Sequence, residues 1–414
     1  MDCLIIGGGI GGLALALSLH RMRFTGRVRI FEAASEIRPL GVGINLGPHA
    51  VRELAALGLL ERIRRVAVEP HEYCCFTQHG QCAYREPWGV AAGHEWPHLS
   101  IHRAELHRLL LDAVVDRLGR DCFFTKHRCV AVEQNGETAF AHFVGPDGSP
   151  IGSHTAELIV GADGIHSAVR AAFYPNEGPP RFKGINLWRG VTRRKPFLGG
   201  ASIARIGTAR TVLMVYPILH NADDQGNQLI NWIAELETER QEKADWCKPG
   251  RLDDFYQQFQ SWSFDWLDAA ELIRSADFIL SYPMVDRDPI ERWSFGRVTL
   301  LGDAAHPMYP RGGNGAAQAI IDAQTLANFL VADSEPVGAL KAYEAARLSK
   351  ANRIVIQTRS ASPNLILEVV ERRTGGKPFA RLEDVISESE LRDIMANYQR
   401  TVGAHVDNLR GGAA

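Results

Sequence analysis

The sequence predicts an α/β protein: a parallel sheet wound by helices and crossed by a small β-meander, a second domain that is mainly β, and a helical C-terminal region. Three observations predict it. The apolar run Leu4-Ile5-Ile6 enters a glycine turn from Gly7 to Gly12, followed by a small-residue helix and a second run, Val28-Arg29-Ile30-Phe31-Glu32. Two further apolar runs, Leu158-Ile159-Val160 and Val298-Thr299-Leu300-Leu301, also end in glycine-acid turns, Gly161-Ala162-Asp163-Gly164 and Gly302-Asp303. Between them, residues 176–289 carry aromatic-rich strand patterns, and from Val337 the pattern is mostly helical.

The first stretch is a Rossmann-like βαβ unit with G-x-G-x-x-G at Gly7, Gly9 and Gly12. The first glycine makes the tight turn, the second lets backbone approach a pyrophosphate, and the third lets helix pack on strand. The helix N-terminus then offers free N–H groups and the positive end of its dipole to the phosphates. Glu32 follows Gly12 by twenty residues, the spacing of a carboxylate that accepts from ribose hydroxyls. An acid there repels a 2′-phosphate, so the dinucleotide is FAD or NAD rather than NADP.

The remaining elements follow from local pattern. Ile37 to Pro48 is a loop by its glycines and prolines. Val51, Leu54, Leu57 and Leu60 recur at helical spacing within 49–65. Residues 70–98 read as short strands and loops. Ser100 is the expected N-cap of a helix running to about Leu118. From Phe123 to Phe143 the period falls to two around an Asn135-Gly136 turn, which gives the meander. Strand-like runs at 186–191, 211–216, 229–233 and 278–282 build the second domain, with a polar or helical piece over 253–262. The loop Gly312-Gly313-Asn314-Gly315 opens a helix from Ala316 to about Leu330.

Composition excludes several classes. The chain of 414 residues is 45% hydrophobic and 23% charged, with a formal net charge of −2. That is an ordinary globular profile and points to neither a nucleic-acid nor a membrane-surface partner. Seven cysteines, an odd number without a C-x-x-C pair, argue for a reducing cytoplasm rather than a disulfide framework. Residues 3–19 carry no charge, but five glycines interrupt them and Asp2 precedes them, so neither a signal peptide nor a membrane span is expected. There is no H-E-x-x-H or clustered Cys/His set for a metal, no G-x-S-x-G elbow and no phosphate loop of the G-x-x-x-x-G-K-[ST] type.

Three strand ends with polar turns at one sheet edge exceed what one nicotinamide nucleotide needs and suit an extended flavin dinucleotide. Glu32 after the glycine fingerprint, then Arg103, Asp163-Gly164 and Gly302-Asp303, resemble in order the group A FAD-dependent aromatic monooxygenases of the p-hydroxybenzoate hydroxylase fold. The resemblance covers nearly the whole chain. Glu36 to Asn45, Trp188-Arg189-Gly190-Val191, Tyr282 to Pro289 and Gly313-Asn314-Gly315 are similar, more narrowly, to the family's phenazine-carboxylate monooxygenases of pyocyanin biosynthesis.

The resemblance implies an FAD-binding domain over 1–175 and 290–340, a substrate domain over 176–289 to which 70–98 contributes, and a helical region over 341–414. It implies that Gly7, Gly9 and Gly12 hold the pyrophosphate and Glu32 the adenosine ribose. Arg38 and Arg103 belong near the FAD ribose and phosphates, where guanidinium pairs with oxyanion. Asp163 belongs to a turn that touches FAD and shapes the passage of NAD(P)H. Gly302 and Asp303 face the ribityl or pyrophosphate region, Pro307 packs near the isoalloxazine, and Gly313, Asn314 and Gly315 offer N–H groups to its edge. Asn45, Arg189, Tyr216 and His306 are the candidates for substrate contact or catalysis, with Trp188 and Trp232 divided between pocket wall and core. His306 is either a base or a structural cap, and Arg189 either a carboxylate partner or an outward-facing residue.

The implied activity is hydroxylation of an aromatic or heteroaromatic acid, phenazine-, salicylate- or nicotinate-like, through a flavin C4a-hydroperoxide. NADH or NADPH serves as transient reductant, and decarboxylation is an open accompaniment. The alternatives are a flavin dehydrogenase or reductase on the same fold, and a non-catalytic flavoprotein. The expected partners are small molecules and O2, with the chain a monomer or homodimer.

Overall fold

A computed structural model describes residues 1–36, 41–238, 248–360 and 362–401. The strand Cys3–Ile6 lies at the centre of a six-stranded sheet, parallel to Val28–Phe31 on one side and to Leu158–Gly161 on the other. Val298–Leu300 and Phe123–Phe124 extend the parallel run outward, and Ser294–Phe295 closes one edge antiparallel. Strands covered on both faces need no polar side, which is why they read as unbroken apolar runs. Register places Ile6 beside both Gly161 and Phe31, and Gly161 beside Leu300. The glycine-acid turns therefore leave the sheet along one edge.

The helix Ile10–Arg21 is apolar almost all round because it packs between that sheet and the helix Asn314–Ala332. A Cβ on Gly11 would stand 2.7 Å from a Leu301 methyl, so the close fit depends on glycine. The meander comprises Arg128–Gln134, Ala139–Val144 and Pro150–Ala156. Its first turn is held by Asn135 Oδ1, which accepts from the N–H groups of Glu137 and Thr138.

The second sheet has seven strands, ordered Ile279–Asp286, Arg181–Arg194, Gln228–Glu237, Thr211–Leu219, Ser202–Gly207, Glu72–Thr77 and Cys82–Pro87. Period-two alternation gives it two faces. One face packs on an aromatic core that includes Trp188, Trp232, Phe255, Phe259 and Trp262. Trp188 stacks on Phe255 there at 5.1 Å between centroids, so both candidate tryptophans are core residues. The other face, with Tyr73, Ile203 and Tyr216, packs beneath the helices Leu365–Thr374 and Glu388–Thr401. The long helix Pro336–Ser360 lies against Asn314–Ala332. No helix of the described residues is long and apolar enough to cross a membrane.

Three local expectations change. The helical stretch over 49–65 is two helices, Pro48–Ala56 and Leu60–Arg64, separated at Gly58 with φ +71°. Ser100 belongs to the strand Leu99–His102, and the following helix begins at Arg103. His102 caps it, its Nδ1 accepting from the Ala104 N–H at 3.2 Å. Histidine is outside the usual set of capping residues, so residue preference pointed two residues too early. The piece over 253–262 contains two short 3₁₀ turns, Leu252–Asp254 and Tyr256–Gln258.

Candidate active site

The glycine turns gather where open α/β sheets bind ligands. Gly7 has φ +109°, and a Cβ there would stand 2.3 Å from the Ala162 carbonyl oxygen. A Cβ on Gly12 would stand 2.1 Å from the Gly7 carbonyl oxygen, whereas one on Gly9 would meet nothing within 4 Å. The turn is thus closed on its protein side and open on its groove side, as a pyrophosphate cradle must be. Glu32 sits at its rim and accepts from the N–H groups of Gly8 at 2.9 Å and Ala34 at 2.8 Å. A carboxylate has further lone pairs, which leaves capacity for ribose hydroxyls.

Sequence reasoning missed His107, on the helix Arg103–Leu118. Burial lowers its pKa, and the neutral ring donates from Nε2 to the Gly8 carbonyl at 2.6 Å. Its Nδ1 is buried with no partner among the described residues, an orphaned acceptor beside the cradle. Arg103, exposed at the start of the same helix, acts electrostatically on both His107 and Asp303. It joins the two halves of the groove. Arg38 lies outside the described residues.

Asp303 opens onto the groove while protein hems in the rest of its carboxyl. That enclosure pushes its pKa up, and the charges of His306 and Arg103 oppose the rise. Its turn is anchored from beneath. The Gly302 N–H donates to Asp322 Oδ2 at 3.2 Å, and His306 Nε2 meets the same oxygen at 2.5 Å. Arg347 donates to Asp322 Oδ1 at 2.7 Å and to Gln318 Oε1 at 2.6 Å. His306 is fully buried and lies against Trp293 at 5.2 Å between centroids. Its Nε2 is committed to Asp322 beneath the turn that presents Asp303. Pro307 is buried next to it. Asp163 also works locally, accepting from Ser167 Oγ and from the N–H groups of Ala168 and Val169 at the start of the helix Ala168–Phe173.

The third turn faces the strand Gly43–Leu46. Gly313, with φ +65°, caps the helix Asn314–Ala332, and its Cβ position lies 2.8 Å from the Asn45 carbonyl oxygen. The Cβ position of Gly315 lies 3.9 Å from Asp303 Oδ1. Asn314 is buried, with Nδ2 3.4 Å from the Arg311 carbonyl. Glu32, the glycine cradle, Arg103, Asp303, the Gly313–Gly315 turn and Asn45 therefore follow one line. An extended dinucleotide fits this line: it is open at Gly9, cationic at Arg103 and rich in N–H donors at a helix N-terminus.

Beyond Asn45 the second sheet takes over. Both polar groups of Gly43 are clamped by its inner face. The Gly43 N–H donates to Asn231 Oδ1 at 2.7 Å, and its carbonyl accepts from the Tyr216 hydroxyl at 2.9 Å and from Arg189 Nη2. Asn45 Oδ1 accepts from Ser100 Oγ at 2.6 Å. Tyr216 and half of Arg189 are thus committed to backbone, and Asn231 completes the clamp on Gly43. Arg189, Met214 and Ile233 stay half-buried although they sit on inner strands of a covered sheet. Register sets the three side by side, and Arg189 reaches the Gly43–Leu46 strand through the Gly43 carbonyl.

A Cβ on Gly43 would stand 2.7 Å from both Asn231 Cβ and Ile218 Cγ2. Gly43→Ala is therefore expected to lower kcat/KM by about tenfold or more while flavin is retained. An unchanged kcat/KM in steady-state assays would show that the clamp does not set site geometry.

This groove defines a dinucleotide-binding flavoprotein, and the chain belongs to the FAD-binding domain family, whose model matches residues 1–358. It is 42% identical over 407 residues to the phenazine 1,6-dicarboxylic acid hydroxylase PhzS of Lysobacter antibioticus, covering 97% of both chains. It is 32% identical over 380 residues to 3-hydroxybenzoate 6-hydroxylase of Polaromonas naphthalenivorans, covering 90% of both. The fold matches that of Klebsiella pneumoniae HpxO, solved with FAD and uric acid, with a TM-score of 0.74 and 22% identity over 100% of this chain and 97% of that one. The protein is an FAD-dependent aromatic hydroxylase.

Proposed function

We propose that this protein hydroxylates a phenazine carboxylic acid with O2, NADH or NADPH being the transient reductant. The observation that carries the reading is Arg189: a half-buried guanidinium in register with the apolar Ile233 and Met214 and bonded to the strand that meets the Gly313 turn. The 42% identity to a phenazine dicarboxylate hydroxylase supports it.

FAD, when bound, supplies acceptance of hydride from NAD(P)H and activation of O2. The chain supplies the rest. Gly7, Gly9 and Gly12 hold the pyrophosphate, and Glu32 and His107 the adenosine side. Arg103 faces the phosphates, and Asp303 accepts from cofactor hydroxyls. The helix N-terminus at Gly313–Gly315 gives N–H groups to the flavin edge and stabilises negative charge there. Arg189 orients the substrate carboxylate with the edge of its guanidinium that Gly43 leaves free. Ile233 and Met214, beside Arg189 in the sheet, keep water from the reacting carbon. Six cysteines are described and all six are free thiols, which supports a cytoplasmic setting.

Spectral titration of the FAD-loaded protein tests the assignment. Phenazine-1-carboxylate is expected to bind more tightly than salicylate or nicotinate, and Arg189→Ala to raise its Kd by about tenfold or more with flavin content kept. Equal affinity for all three acids would defeat the phenazine reading. An unchanged Kd in Arg189→Ala would remove Arg189 from the substrate.

A further inference from the structure

The helix Glu388–Thr401 lies over the strand Cys82–Pro87, one edge of the seven-stranded sheet. Leu391, Ile394, Met395 and Tyr398 recur at helical spacing and pack on the sheet. Arg373 ties the first turn of the helix by a two-pronged bond to Glu390, at 2.9 and 2.6 Å. Beneath the helix the packing is incomplete. A cavity of about 540 Å³ separates it from the strand, walled by Tyr84, Leu391 and Ala396, and a second of about 210 Å³ lies beside Trp88 and His98. Glu86 and Gln399 line both cavities and form the partition between them. Side chains that face a void lose dispersion contacts there, so the docking of the last turn leans on this polar pair.

Glu86 is half-buried. Its Oε2 accepts from the Tyr84 hydroxyl at 3.1 Å, and Gln399 Nε2 lies 3.0 and 3.1 Å from its two oxygens. The neighbouring guanidiniums are turned elsewhere: Arg85 pairs with Glu72 at 3.4 Å and Arg392 with Glu388 at 2.7 Å. A carboxylate held by neutral donors in such a place is costly, whereas the neutral acid fits it, with one oxygen accepting from Gln399 and the hydroxyl meeting Tyr84. Enclosure pushes the carboxyl up to about 7, against the pull of the Tyr84 hydroxyl and the Gln399 amide. The other titratable or charged groups around it are Cys82, Arg85, Glu388, Arg392, His94 and His98, with Tyr73 opposite Glu86 in the sheet. Burial raises the Cys82 thiol and the Tyr73 and Tyr84 hydroxyls and lowers His98 to about 3, so these four stay neutral near pH 7.

We infer that Glu86 is a proton-controlled latch on the helix Glu388–Thr401: the helix is docked while Glu86 keeps its proton and loosens when the carboxylate forms. An acid that holds its proton more tightly in the docked state contributes to docking in full at acid pH, and the contribution is lost as pH rises through about 7. The latch reaches the flavin site through Tyr398, the neighbour of Gln399. The Tyr398 hydroxyl lies in the field of Arg205, Arg311 and Glu235, and Arg311 leads directly into the Gly312–Gly315 turn. Release of the helix draws that hydroxyl away from Arg311.

Hydrogen–deuterium exchange of the FAD-loaded full chain at about pH 6 and about pH 8, corrected for intrinsic exchange, tests this in wild type, Glu86→Gln and Gln399→Ala. In wild type the protection of amides 388–401 is expected to fall by about tenfold over that range. Glu86→Gln is uncharged throughout and is expected to keep its protection, and Gln399→Ala to be weakly protected at both values. Equal wild-type protection at the two values would overturn the inference, whether or not either variant folds. A fall of the same size in Glu86→Gln would assign the response to another group, His94 among them, and overturn it too. So would a Gln399→Ala protein protected like wild type at the lower pH.

Discussion

Replacing Asp322 by alanine is expected to cost about 3–5 kcal/mol of stability and to strip the protein of flavin. Asp322 is fully buried between His306 and Arg347, and it also accepts from the Gly302 N–H. Removing it leaves a guanidinium and an imidazole buried without their acceptor and frees the turn that presents Asp303. The same residue sets an acid limit. Burial would raise its pKa, but His306 and Arg347 overcome that and hold it down at about 2. A carboxylate depressed in the folded state contributes stability in full above its unfolded value, and that contribution is lost as pH falls through the folded one. Wild type should therefore lose stability as pH falls from about 4 toward 2, and the alanine variant should lack this component of the slope. Thermal melts read by flavin fluorescence against pH measure both effects. A variant that keeps its flavin and melts within a degree of wild type would refute the anchoring role.

Gly12→Val is expected to yield protein without bound FAD. Its Cβ would stand 2.1 Å from the Gly7 carbonyl oxygen and 3.1 Å from Ile5 Cγ2. The first contact is with backbone and cannot be relieved by a rotamer, so the turn must open and lose its cradle. Adding FAD in excess should not restore the visible absorption band of protein-bound flavin after gel filtration. Glu32→Ala is expected to be milder: retention weakens, but excess FAD rescues it, because the carboxylate holds a rim that the glycines still shape. A Gly12→Val protein purified with full flavin would contradict the cradle.

Much of this geometry is written locally in the chain. The buried parallel strands are continuous apolar runs, and Gly12 stands where a Cβ would strike the carbonyl of Gly7, five residues before it. Both are readable without a structure because each depends on near neighbours. What escapes are partnerships between distant residues. Asn231 and Gly43 meet across 188 positions, and nothing local ties them together. Even so, Asn231 is a lone amide within the apolar strand Leu229–Ile233, and Asp322 a lone acid within the apolar helical run after Ala316. Polar residues inside apolar periodicity are the signal that would have drawn attention to both. The edge strands of the second sheet lie within the residues 70–98 assigned to that side, but the parallel pairing of Glu72–Thr77 with Ser202–Gly207 joins distant positions and is not written locally. Arg189 and Tyr216 show a further limit. Their strands are legible, but the backbone carbonyl they serve is not, and the carbonyl decides how much of each side chain is left for a ligand.

The most direct measurement is the stoichiometry of NAD(P)H consumed, hydroxylated product formed and H2O2 released when the FAD-loaded protein meets phenazine carboxylic acids in air. The geometry predicts rapid oxidation matched nearly one for one by hydroxylated phenazine, with little H2O2. Oxidation that yields only H2O2 for every phenazine acid, or turnover that continues without O2, would contradict it.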